Sequence, residues 1–185
     1  MNELRTNKIA VLTLDGVEKA EITEPVKALR DAGAEVTVIS KERKPVKTFE
    51  HHDPSDTYPV NKTFDEAKPD EYDALLLPGG ALNADALRMV PQARAFVTSF
   101  DAAKKPIAAI CHAPWLLASA GILKGRKLTS YFTIQDDLRN AGATWTDDAV
   151  VTDGNLITSR SPDDLPKFNP AIIELFAKAK APALA

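Results

Sequence analysis

Runs of apolar residues recur along the chain, each closed by a glycine or proline and followed by polar residues at helical spacing. Lys8 to Leu14 carries Ile9, Ala10, Val11 and Leu12 in succession and predicts a first strand buried on both faces. Asp15-Gly16-Val17 makes a turn. A helical stretch opens at Glu18 and runs to about Ala32, with Val26 and Leu29 on one face and Gly33 as its stop. Pro25 lies inside it and predicts a kink or a break into two short helices. Glu35 to Ile39 is rich in β-branched residues and predicts a second strand, so the chain opens with a β-α-β unit and hence a parallel sheet. Lys41 to Lys68 is charged and broken by Pro45, Pro54 and Pro59. It predicts short β pieces around Val46 to Phe49 and then a loop.

Tyr72 to Leu77 reads as another buried strand, ending in Pro78-Gly79-Gly80. Helices are predicted over Asn83 to Val90 and Pro91 to Lys104, the second with Ala95, Phe96 and Phe100 as an inward stripe. Ile107 to Ile110 is wholly apolar, and Ala113 to Ala120 follows as a helix with Pro114 in its first turn and Gly121 beyond its end. Arg126 to Ser130 predicts a short strand, and Ile134 to Asn140 a helix ended by Gly142. Ala149 to Thr152 and Asn155 to Ser159 flank Asp153-Gly154, a hairpin signal. Ser161-Pro162-Asp163-Asp164 caps a last helix whose apolar face includes Leu165, Phe168, Ile172 and Phe176, and a weakly patterned tail, Ala179 to Ala185, follows.

Length fits one domain, residues 1–185, able to bury about 70% of its unfolded surface without a metal or disulfide staple. One cysteine permits no internal disulfide and suits a reducing cytoplasm. A net charge of -3 gives no basic face, so nucleic acid is not implied as a partner by charge. The polar start and the lack of a membrane-length apolar run predict neither a signal peptide nor a membrane span.

The chemistry converges on Cys111, at the junction of strand and helix. There the crevice outside the strand ends is open to ligands, and the free N–H groups of a helix start favour a thiolate with a lowered pKa. A lone cysteine is more often a small core hydrophobe. A strand end flanked by His112 and a helix start favours the reactive reading, with the His112 side chain expected to point away from that of Cys111. The paired glycines Gly79 and Gly80 serve equally a tight turn or a close approach of backbone N–H groups to a ligand. Glu18 reads as an acid placed at a helix start. His51-His52-Asp53 has no third ligand at a suitable spacing, so no metal is expected and the stretch reads as a solvated or interface loop.

Four pieces in order, Leu75 to Gly80, Ala109 to Pro114, Ser119 to Ser130 and Thr158 to Pro166, make the chain resemble the ThiJ/PfpI family of the class I glutamine amidotransferase-like superfamily. The similarity runs over roughly Lys8 to Ala177 and is nearest to the bacterial general stress proteins and PfpI-type deglycases or peptidases. It implies an α/β, flavodoxin-like three-layer sandwich with a mostly parallel central sheet and Cys111 in a strained nucleophile elbow. It implies a glutamate from the first strand-to-helix turn against the sulfur: by position Glu18, with Glu21 the alternative on the same helix. Gly79, Gly80 and the N–H of His112 fall where the family builds its oxyanion hole. Ala113 stands where the family has glycine. In peptidase-type members an acid after the double glycine completes a triad with the histidine of a neighbouring subunit. Here Ala84 takes that place and Asp85 follows one step later, a possible third triad member.

Three functions follow from the resemblance. The first is a cysteine-dependent hydrolase of glyoxal- or methylglyoxal-derived adducts, with Cys111, His112 and Glu18 catalytic and no cofactor. The second is a redox-sensing or chaperone-type stress protein, and the third a PfpI-type intracellular cysteine peptidase. A small-molecule or glycated substrate and a homodimer or larger homo-oligomer are expected.

Overall fold

The computed structural model of the chain describes residues 3–178. The elements in order are β1 (Lys8–Leu12), β2 (Val17–Glu18), α1 (Lys19–Asp31), β3 (Glu35–Ser40), β4 (Val46–Glu50), β5 (Asp53–Tyr58), β6 (Lys62–Thr63) and β7 (Ala74–Leu77). Next come α2 (Ala81–Leu87), α3 (Pro91–Ala102), β8 (Ile107–Ile110), α4 (Pro114–Ser119), β9 (Lys127–Leu128), α5 (Gln135–Asn140), β10 (Thr144–Trp145), β11 (Val150–Asp153), β12 (Leu156–Ser159) and α6 (Leu165–Lys178). The tail expected over Ala179 to Ala185 lies outside the described residues.

Seven strands form the central sheet in the order β11-β12-β8-β7-β1-β3-β6. Every pairing is parallel except that of β11 with β12, which the turn at Gly154 makes antiparallel. Alternation of side chains along each strand feeds two cores. Ala10, Leu12, Leu75, Leu77, Ile107 and Ala109 meet α3, α4 and α5 on one face. Ile9, Val11, Ala74, Leu76, Ala108 and Ile110 meet α1 and α6 on the other. This is the three-layer α/β sandwich with a mostly parallel sheet that the family resemblance implied.

Four local expectations are corrected. α1 runs unbroken through Pro25, which is buried with Ile22, Val26 and Leu29. The missing proline N–H forfeits one bond to the Glu21 carbonyl, and burial of that apolar face offsets the loss. The expected loop after Val46 to Phe49 instead holds β5, antiparallel to β4. Its sequence, Asp53 to Tyr58, is polar because both faces are largely exposed. The inward stripe of α3 is Ala93, Phe96, Val97 and Phe100, while Ala95 faces solvent. Arg126 to Ser130 contributes only the short β9, paired with β10 apart from the main sheet.

Candidate active site

β8 carries the chain to the carboxyl edge of the sheet, and Cys111 turns it abruptly. Its φ is 63°, in the left-handed region, which costs a non-glycine residue about 1–2 kcal/mol. Both backbone groups of Cys111 are held. Its N–H donates to the Ser159 carbonyl at 3.0 Å, and its carbonyl accepts from the Tyr131 N–H at 2.9 Å. These bonds, to the end of β12 and to the following loop, hold the strained residue in place. Ala113 takes ordinary helical angles, with φ -54°, so a residue other than glycine sits there without backbone strain.

The His112 ring folds back instead of pointing away, and its Nδ1 lies 3.1 Å from Cys111 Sγ. The positive φ of Cys111 abolishes the strand alternation that would have opposed the two side chains. The ring is stacked on Tyr131 with centroids 4.8 Å apart and flanked by Trp115 at 5.4 Å. Its Nε2 faces Thr133 Oγ1 at 3.5 Å. Among the described residues no carboxylate hydrogen-bonds the ring, and Asp85 is exposed on α2.

The carboxyl beside the sulfur belongs to Glu21, not Glu18. Glu18 precedes α1 in extended conformation and reaches the β4–β5 hairpin, where its Oε2 accepts from the His51 N–H at 2.9 Å. Glu21, a turn later, is fully buried. Its Oε2 accepts from the Gly79 N–H at 2.9 Å, and its Oε1 has no conventional hydrogen-bond partner. Its remaining polar neighbour is the Cys111 sulfur. Burial, and after it the charge of Glu18, pushes the Glu21 carboxyl up to about 8, so it holds its proton at neutral pH.

Burial also governs the other two groups. It pushes the Cys111 thiol well above its ordinary value, a Glu21 charge pushes the same way, and the N–H groups of Gly80 and His112 pull it back. Burial holds the His112 imidazole below its usual range. The lowered thiol pKa expected at a helix start is therefore overturned: α4 has only six residues, and desolvation outweighs the amides. The resting trio is thiol, neutral imidazole and carboxylic acid.

Gly79 and Gly80 divide the work that the sequence assigned to both. The Gly79 N–H is taken by Glu21, so Gly79 is not an oxyanion donor. Its value is space: a Cβ there would lie 2.4 Å from Glu21 Oε2 and 2.6 Å from Cys111 Cβ. The donors facing the sulfur are the N–H groups of Gly80 and His112. Gly80 has φ 88°, and a Cβ on it would lie 2.3 Å from the Gly16 carbonyl oxygen.

A scan against family models matches residues 7–175 to the DJ-1/PfpI family. The chain belongs to the DJ-1/PfpI family. Within it, the chain is 45% identical over 158 residues to Deglycase TK1284 of Thermococcus kodakarensis, spanning 85% of this chain and 92% of that one. It is 44% identical over 171 residues to Protein/nucleic acid deglycase 2 of Escherichia coli, spanning 92% and 98%. The crystal structure of Drosophila melanogaster DJ-1beta superposes with a TM-score of 0.82 at 32% identity, covering 92% of this chain and 90% of that one.

Sequence reasoning missed Tyr131, Trp115 and Thr133, which frame His112, and Asn83, which is fully buried beneath the double glycine. Among the described residues no group of three or more His, Cys, Asp or Glu is placed to hold a metal, and no helix is long and apolar enough to cross a membrane. A surface cavity of about 520 Å³, lined by Lys104, Pro106, Arg126, Leu175 and Lys178 among others, lies at the opposite end of β8 from Cys111.

Proposed function

We propose that the protein is a cysteine-dependent hydrolase that removes glyoxal- or methylglyoxal-derived adducts. The observation that carries the reading is one buried sulfur touched by a neutral imidazole, a proton-bearing carboxyl and two backbone N–H groups. Neutral His112 takes the thiol proton through Nδ1 as Cys111 Sγ bonds to the hemiaminal carbon, and returns it to the amine nitrogen as the C–N bond breaks, leaving a hemithioacetal on Cys111 and the free amine. Negative charge developing on oxygen is met by the Gly80 and His112 N–H groups. Each such donor is worth about 3 kcal/mol of barrier where it has been measured in other enzymes. Glu21 takes the C–H proton of that hemithioacetal and gives it to the neighbouring carbon while the hydroxyl proton passes to the ketone oxygen, so that a lactoyl thioester forms, which water hydrolyses to restore the thiol. Overall, a methylglyoxal hemiaminal plus water yields the free amine and lactate, and the glyoxal adduct yields glycolate. The relatives named deglycases support this reading. Cys111→Ser should abolish release of lactate and glycolate from glycated substrates, and turnover at the wild-type level would rule it out.

A second reading, redox sensing, draws on the same donors, because amides and an acid that meet an oxyanion would also hold a sulfinate on Cys111. Mass spectrometry after peroxide tests it, and an unmodified Cys111 counts against it. The peptidase reading is weaker, since among the described residues no acid hydrogen-bonds His112 and Asp85 is exposed on α2, where it could act only across two copies. Assembly as a homodimer or larger, in the cytoplasm, belongs to this proposal. The exposed side of α1 and the Val46 to Tyr58 region, whose β5 is largely exposed, are its candidate contact faces.

A further inference from the structure

We propose that Asn83 is a positioning residue: its carboxamide clamps two consecutive peptide units so that both of their N–H groups face the Cys111–Glu21 pair. The inference rests on the reading of Cys111 as nucleophile. Asn83 lies in the first turn of α2 with no exposed surface. Its Nδ2 donates to the Pro78 carbonyl at 3.0 Å and to the Gly79 carbonyl at 2.9 Å. Its Oδ1 accepts from the Leu14 N–H at 2.7 Å and from Thr13 Oγ1 at 3.3 Å. A main-chain N–H can only donate and a carbonyl can only accept, so the partners themselves fix which way round the amide sits.

The consequence follows from peptide planarity. No peptide bond in the described chain is cis, and in a trans unit the C=O and the next N–H point in opposite directions. Drawing the Pro78 carbonyl toward Asn83 turns the Gly79 N–H toward Glu21 Oε2, which it meets at 2.9 Å. Drawing the Gly79 carbonyl the same way turns the Gly80 N–H toward the Cys111 sulfur. Successive carbonyls in an extended strand alternate sides, so two on one side need a departure from strand geometry at Gly79, the residue between the two peptide units, after which Gly80 at φ 88° turns the chain into α2. The freedom that lets glycine adopt this turn also makes rotation of the Gly79–Gly80 peptide sterically cheap. Among the described residues the Gly79 carbonyl accepts, apart from Asn83, only a long bond of 3.4 Å from the Glu18 N–H. Asn83 therefore supplies the restraint that keeps an oxyanion donor aimed, and ties it to the buried residues that follow β1.

The test grades the donors at position 83 in the full chain: two in the wild type, one in Asn83→Ser, none in Asn83→Ala. Cys111 is the chain's only cysteine, so the pH dependence of its alkylation by iodoacetamide reports on it alone and needs no turnover. The thiol midpoint should rise from wild type through Ser to Ala. With a methylglyoxal-glycated amine as substrate, kcat should fall by about 10²-fold in Asn83→Ala while KM stays within about twofold. Asn83→Ala that folds, melts earlier and keeps the wild-type midpoint and kcat would overturn the assignment. So would failure of both variants to fold, since Asn83 would then have no effect on the site separable from folding. A shifted midpoint in a protein that releases no lactate from a methylglyoxal-glycated amine would support the clamp while counting against the hydrolase reading.

Discussion

Glu21 and Gly79 are joined by a hydrogen bond of 2.9 Å from the Gly79 N–H to the carboxyl Oε2, and this bond holds a buried acid beside the only thiol of the chain. The acid is useful because it is expensive to ionise there. Its proton stays on at neutral pH, so the sulfur has a hydrogen-bond donor at hand instead of a second negative charge.

Glu21→Gln should lower turnover by about 10²- to 10⁴-fold, the range typical of a lost general acid or base. It should also flatten the pH dependence of stability. The Glu21 carboxyl titrates at about 8 in the fold and at 4.5 as a free side chain. Between those values the folded state binds the extra proton, so the contribution to stability is complete below the lower value and lost as pH rises through the upper one. Denaturant unfolding across this window should show the wild type losing a few kcal/mol, and Glu21→Gln distinctly less.

His112→Ala should cost most at neutral pH and recover in part at high pH, where the thiol ionises without help. In the wild type, activity should fall once pH drops through the His112 value, which burial sets below the usual imidazole range. A pH–rate profile of both proteins checks this, and parallel profiles would remove His112 as the base.

Gly79→Ala should be severe despite adding one methyl. Its Cβ would meet Glu21 Oε2 at 2.4 Å, Cys111 Cβ at 2.6 Å and the Ile110 carbonyl oxygen at 2.7 Å. Two of those three sit on the elbow itself and have little room to retreat. Destabilisation of about 1–3 kcal/mol, read as a lower melting temperature, should accompany near-complete loss of turnover. A fully active Gly79→Ala would show that the elbow yields more easily than its contacts imply.

The main-sheet strands β1, β3, β7, β8, β11 and β12 and the turn at Cys111 were legible because each depends on local pattern, whereas the polar β5 was not. Four apolar residues and a break announce β8, and Cys111 follows them directly. The choice between Glu18 and Glu21 was not legible, since both lie near the start of α1. What decides it is that Glu18 is still extended when the helix begins, which sends its side chain to the His51 N–H of a hairpin built from polar residues. The thiol's direction of shift also escaped the sequence, because desolvation depends on how tightly the two sheet faces close over Cys111. Asn83 reads as an ordinary helix residue, and its role emerges only where β1 and β7 end side by side.

The pH dependence of Cys111 alkylation, compared between wild type and Glu21→Gln, tests the shared proton most directly. The thiol should titrate above its ordinary value in the wild type, and removing the ionisable carboxyl should bring its midpoint down. A wild-type thiol already ionised at about pH 6, as at a strongly activated cysteine, or a midpoint untouched by Glu21→Gln, would contradict the coupling of sulfur and acid.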